Sequence, residues 1–261
     1  MYRHYIDVAG YKLNLNTESE RLNMWITDTF GPNISSYDNH TDLWIEVQDD
    51  YGLPFQGFRV DITSDNQHVW YRRADYLVQV DRQYKAATIF THDTFALKHA
   101  LMNLYSAFTV HQKSGLLIHS SCIIEGPDAF LFSGHSGAGK STVARLSAPR
   151  PLLSNEATMV RIHNFGVMVY NSYAFRSDPG IFVQRAHPLR AIHFLHQSGE
   201  TYRTKLSVEQ AMVQLVDKVF FWAHDPMETS QLVRMVKRVV ETVPSYNLYF
   251  QKNDEFWREI S

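Results

Sequence analysis

Ala129-Phe-Leu-Phe-Ser-Gly-His-Ser-Gly-Ala-Gly-Lys-Ser-Thr142 is the stretch of this 261-residue chain that decides its class. A short apolar run, of strand character, leads directly into a glycine-rich loop. Within it, Gly134-His-Ser-Gly-Ala-Gly139-Lys140-Ser141 fits the pattern G-x-x-x-x-G-K-[ST] without a mismatch. The pattern has a physical basis. Gly134, Gly137 and Gly139 have no Cβ, so the backbone can turn its N–H groups together toward phosphate oxygens. Lys140 adds a compact cation suited to β- and γ-phosphates, and the Ser141 hydroxyl suits Mg²⁺. The spacing therefore predicts a nucleotide-phosphate site made by Ser133, Gly134, His135, Ser136, Gly137, Ala138, Gly139, Lys140, Ser141 and Thr142, with a helix from about Lys140 to Leu146 behind it.

Working outward, Leu116-Leu-Ile-His-Ser-Ser-Cys-Ile-Ile124 reads as a second strand, joined to the first by a turn at Glu125-Gly-Pro-Asp128. Before it, Asp93 or Thr94 can cap a helix with Leu97, Leu101, Leu104, Tyr105 and Phe108 on one face. After the loop, Thr158–Ile162 and Gly166–Tyr170 read as a hairpin. Ser207-Val-Glu-Gln210 has the form of a capping box and opens another helix. A further helix spans roughly 228–241 and is ended by Pro244. A strand over 245–250 and a short helix around Phe256-Trp257 close the chain. Residues 1–92 carry alternating segments such as Tyr11–Leu15, Leu43–Val47 and Tyr76–Val80, separated by turn formers. They are read as a β-rich region, followed by an α/β domain of mixed sheet over 93–261.

Composition sets outer limits. Lys plus Arg number 25 against 27 Asp plus Glu, a formal charge of −2, which gives no sign of a nucleic-acid surface or a polybasic membrane anchor. The N-terminal sequence lacks a signal-peptide pattern and no apolar run approaches membrane-spanning length. A single cysteine, Cys122, suits a reducing compartment and a place in the core. The expectation is a cytoplasmic protein without nucleic-acid or membrane partners, and its composition is compatible with a homo-oligomer.

A P-loop alone leaves ATPases, GTPases and kinases open. No Asn-Lys-x-Asp guanine signature is present, nor an apolar strand ending in Asp. The nearest acid beyond the loop helix is Glu156, which precedes a strand instead of ending one.

These elements, in this order, resemble the HPr kinase/phosphorylase family, whose nucleotide-binding core is shared with phosphoenolpyruvate carboxykinase. The resemblance rests on His119-Ser120-Ser121, Phe130-Leu-Phe132, Ser136-Gly-Ala-Gly-Lys-Ser141 and Asn155-Glu156. It extends to Val243-Pro-Ser-Tyr-Asn-Leu-Tyr-Phe250 and Glu255-Phe-Trp257, and covers about 95–261. It implies a P-loop domain of that type and an ATP- and Mg²⁺-dependent serine kinase. His119 would then lie near the γ-phosphate. Glu156 would act on the acceptor hydroxyl and, with Ser141, near the metal. Asn155 stands beside it, and Arg176 would reach phosphate or an anionic substrate, as would Arg185 or Arg190. The implied acceptor is a serine of a peptide or small protein, as in kinases that modify the C-terminal serine of lasso-peptide precursors.

Two departures bear on this. The family's acidic pair is usually Asp-Asp, and Thr142 stands where bifunctional members tend to carry Glu. Both speak against reverse, phosphate-removing chemistry. Asn155 also leaves open a catalytically silent nucleotide-binding regulator, and a kinase of free serine or another small molecule remains an alternative.

Overall fold

Leu43-Trp-Ile-Glu-Val-Gln48 alternates between buried and exposed residue by residue, as a strand with one face on a core must. Tyr76–Asp81 has the same period. A computed structural model of the chain describes residues 1–35, 40–171 and 186–260. It divides into two compact units, Met1–His111 with Phe221–Glu228, and Gln112–Phe220 with Thr229–Ser261.

The first unit contains β1 (Tyr2–Val8), β2 (Tyr11–Thr17), α1 (Glu20–Phe30), β3 (Ile34–Ser35), β4 (Leu43–Gln48), β5 (Asp61–Ser64), β6 (His68–Arg73), β7 (Tyr76–Asp81), β8 (Ala86–Thr91) and α2 (Thr94–His111). Its strands form one sheet in the order β3-β1-β2-β4-β8-β7-β6-β5. β2, β4 and β8 run parallel, and the remaining neighbours are antiparallel. Parallel β2 and β4 need a crossover, which α1 provides. This helix adds to the β-rich reading of 1–92, which named no helix there. Ser19 caps it by accepting from the Leu22 N–H, and Leu22, Ile26 and Phe30, spaced by four, bury one stripe. The Asp93 carboxylate caps α2 by accepting from the Ala96 N–H at 2.8 Å. The boundary read at 92/93 falls before α2, whereas the helix packs within the first unit. It is buried nearly all round, from Ala96 to Val110, well beyond the single face expected of it.

The second unit contains β9 (Gly115–Glu125), β10 (Asp128–Ser133), α3 (Lys140–Leu146), β11 (Leu152–Ser154), β12 (Ala157–His163), β13 (Gly166–Tyr170), β14 (His187–Gln197), β15 (Tyr202–Lys205), α4 (Val208–Val216), most of α5 (Pro226–Thr242), β16 (Ser245–Phe250) and α6 (Phe256–Ile260). The strand order is β10-β9-β12-β13-β14-β16-β15. β10 pairs with β14 as well, which closes the first five strands into a ring. The β10–β14 and β14–β16 pairs are parallel and the others antiparallel. The fold is thus mixed α/β with two large mixed sheets.

The hairpin read at 158–170 forms as β12–β13, and Ser207 with Gln210 makes the full capping box of α4. Behind the loop, Val143 of α3 and Phe256, Trp257 and Ile260 of α6 pack on Ile123, Phe130, Phe132 and Phe250. The Trp257 indole N–H donates to the Ser147 hydroxyl at 3.1 Å, tying α6 to the end of α3. Cys122 is free and fully buried in this sheet. No helix among the described residues is long and apolar enough to cross a membrane.

Candidate functional site

β10 ends at Ser133, whose hydroxyl donates to the His119 carbonyl at 2.8 Å and so fixes the point from which the loop departs. Gly137 and Gly139 hold φ of +83° and +112°, values that an L side chain rarely adopts. At Gly139 a Cβ would also stand 2.7 Å from the tip of the Phe250 ring. The Gln197 side-chain amide, at the end of β14, donates to the Gly137 carbonyl at 2.8 Å and holds the loop from outside. Gln197 is a positioning contact that the loop's own motif does not announce. His135 and Ser136 are exposed, Ala138 is buried, and Ser141 is exposed on the first turn of α3 with Thr142 half-buried beside it.

Lys140 turns back over this loop. The residue is 9% exposed, and its ammonium donates to the Gly134 carbonyl at 3.0 Å and the His135 carbonyl at 3.1 Å. Burial lowers its pKa, and the charge of Lys218 adds to the effect. Its backbone carbonyl accepts from the Ser121 hydroxyl at 3.2 Å.

His119 stands on β9 two residues before Ser121, so the two side chains share the sheet face on which α3 begins. Its pKa is lowered to about 4, chiefly by burial. The charges of Lys140 and Lys218 lower it further, and Glu156 opposes them. The imidazole is therefore neutral at pH 7. Asn155 and Glu156 occupy the bend between β11 and β12, both half-buried, and the Glu156 carbonyl accepts from the Ser120 N–H at 3.2 Å.

His119, Lys140 and Glu156 thus come together, and Lys218 joins them from outside every motif. Arg176 and Arg185 lie outside the described residues. Arg190 lies at the far end of β14. Ser133 pairs with Phe194 at the loop end, whereas Ala129 pairs with Leu189 beside Arg190. There, with Glu125, Asp128, Arg203 and Tyr246, it lines a separate cavity of about 410 Å³. Among the described residues no three His, Cys, Asp or Glu side chains gather as a metal cluster. The arrangement can hold an anion against Lys140 and offer a carboxylate and a neutral imidazole beside it.

The family model described as "ScmC: SynChlorMet cassette protein ScmC" matches residues 87–261. The chain belongs to the ScmC family. The ScmC match takes in α2 and every residue of the loop site. No curated protein matches the chain. The solved structure of the Hpr(Ser) kinase/phosphatase from Coxiella burnetii is similar over 51% of this chain and 84% of that one, at 11% identity and a TM-score of 0.30. A likeness at that level carries no weight for activity, and the ScmC description names no kinase.

Proposed function

We propose that this member of the ScmC family is an ATP-dependent kinase that transfers the γ-phosphate to a serine hydroxyl of a peptide or small protein. The C-terminal serine of a lasso-peptide precursor is one such acceptor. The observation that carries the reading is the state of Lys140. Its ammonium is buried and rests on two carbonyls of its own loop. Among the described residues it has no carboxylate partner. A phosphate chain would supply that missing negative charge.

The residues present fit such a group: the buried ammonium of Lys140 lacks a counter-charge among the described residues, and the loop's close turns at Gly134 and Gly139 leave no room for a Cβ against Ala138 and Phe250. With Mg²⁺, bound ATP would supply the transferable phosphoryl group, and the metal would draw most of its ligands from phosphate oxygens. On the protein side, the Ser141 hydroxyl and Glu156 would hold that metal. Glu156 accepts the proton of the incoming serine hydroxyl. Neutral His119 holds a hydrogen bond beside it without adding charge, and the Asn155 amide orients the acceptor. Arg176 is proposed from the sequence as an additional anion contact.

The test is transfer of label from γ-labelled ATP to serine-ending peptides. Glu156→Gln keeps size and removes charge, and should slow transfer by about 10²–10⁴-fold. ATP affinity should stay within about threefold. Full activity in this variant would remove Glu156 as the base. Asn155, where an acid is the family-like residue, favours one rival: a regulator that binds nucleotide without transferring phosphate. Tight ATP binding with no labelled acceptor under any condition would select that rival.

A further inference from the structure

Lys218 follows α4 in a segment with no strand pattern, yet its backbone is built into the site. Val219 bridges Ile118 in antiparallel register. The His119 N–H donates to the Lys218 carbonyl at 2.7 Å, and the Phe220 N–H donates to the Leu117 carbonyl at 2.9 Å. Lys218, in the turn that follows α4, is therefore bonded to His119 next to the bridged pair Ile118 and Val219, and His119 shares its face of β9 with Ser121. That face is the one on which the Ser121 hydroxyl meets the first residue of α3. The His119 carbonyl also accepts from Ser133. The residue that launches the loop and Lys218 thus bond to the same residue of β9, along the same edge. The Phe220 ring packs edge-on against the His119 ring at 5.5 Å and fixes this pairing further.

We propose that Lys218 is a second cation of the phosphate site, placed to contact the terminal phosphoryl group of a bound triphosphate and to set the preference for triphosphate over diphosphate. The inference rests on the reading of Ser133–Thr142 as a phosphate loop. Three features support it. The Lys218 side chain is only 18% exposed, so its stem is held, while its ammonium pairs at 2.8 Å with Asp217, whose side chain is 62% exposed. An ion pair with so exposed a carboxylate is weak and easily exchanged for phosphate oxygens. The charge of Lys218 also reaches both Lys140 and His119, and its backbone bond to His119 sets it on the side of the loop where His119 stands. In the proposed reaction that is the side of the transferring phosphoryl group, not of the inner phosphates. A compact ammonium on a buried stem suits a phosphoryl group whose charge is to be held as a point contact.

The experiment is calorimetry of Mg·ATP and Mg·ADP on the full chain, comparing wild type with Lys218→Met, Asp217→Asn and Lys140→Met. Lys218→Met should weaken ATP by about tenfold or more and ADP by less than about threefold, so that the ATP/ADP preference collapses. Asp217→Asn changes an exposed side chain and releases Lys218 from its pair. It should raise the ATP/ADP preference by a few-fold, and it remains informative if Lys218→Met does not fold. Equal weakening of both nucleotides in Lys218→Met, or an unchanged ratio in Asp217→Asn, would overturn the role of Lys218 and leave the loop's reading intact. Wild-type protein that binds neither nucleotide, or binding indifferent to Lys140→Met, would instead overturn the phosphate loop and Lys218 with it.

Discussion

Among the described residues, each unit of this protein buries one Lys or Arg, and the two are treated differently. In the first, Arg73 forms a two-pronged pair with Asp75 at 2.6 and 2.8 Å, both side chains almost wholly buried. The guanidinium also lies 4.5 Å over the Tyr76 ring and 4.9 Å from that of Phe55. In the second, Lys140 meets only carbonyls among the described residues. Two carbonyls use two of its three donors but leave its charge unbalanced. One cation is finished inside the fold. The other finds no counter-charge among the described residues.

That contrast can be broken by experiment. Arg73→Met leaves Asp75 buried without its counter-charge and should cost about 3–5 kcal/mol of stability. Lys140→Met strands no carboxylate, so its stability should stay within about 1 kcal/mol of wild type, yet transfer should be abolished and triphosphate affinity should fall. Urea denaturation and labelled ATP read the two effects separately. Comparable destabilisation by both variants, or active Lys140→Met, would erase the distinction.

A smaller effect separates two glycines of the loop. Gly137 has positive φ with open space where a Cβ would stand, so Gly137→Ala adds only backbone strain, about 1 kcal/mol. Gly139 combines positive φ with the Phe250 ring 2.7 Å from the added carbon. Gly139→Ala should cost about 2–3 kcal/mol and disturb the first turn of α3. Equal midpoints in a denaturation series would mean that Phe250 yields freely.

The ease of reading the loop and the difficulty of reading its surroundings have the same physical origin. β10, the loop and α3 are specified locally, by apolar run, glycine spacing and helix start, within twenty residues. α1 is hard to read because Met24 and Trp25 blur the buried stripe of Leu22, Ile26 and Phe30, in a segment that ends at Gly31-Pro32. β14 is covered on both faces along Ala191–Leu195, so its sequence there is apolar on both sides apart from His193 and shows no period. Lys218 depends on a pairing with residues about a hundred positions earlier, which no local pattern encodes.

The remaining prediction extends the comparison from permanent cations to groups that can shed their charge. His193 is fully buried with no hydrogen-bond partner on either ring nitrogen among the described residues. Its ring is stacked with Phe132 at 5.2 Å and Tyr246 at 5.5 Å. Burial, with help from Arg203, lowers its pKa to about 3, and His119 is lowered to about 4. Both folded values lie below the unfolded value of 6.5, so the unfolded chain takes up protons first as pH falls. The stability due to neutral burial is whole above about pH 6.5 and drains away below it. It is spent by about pH 4 for His119 and pH 3 for His193. For His193 the slope in that window is about 1.4 kcal/mol per pH unit. The carboxylates with lowered pKa, Asp49, Asp65, Asp225 and Glu209, lose their contribution only near and below their own unfolded values, around pH 4.5. The interval from pH 6.5 to 4.5 therefore belongs to the histidines, with His163 shifting in the same direction. Denaturant midpoints across that interval should fall for wild type and fall less steeply for His193→Phe. A uniform packing cost from the larger ring would offset the variant's curve without changing its slope. If the two curves run parallel from pH 6.5 to 4.5, the stacked rings do not keep His193 neutral.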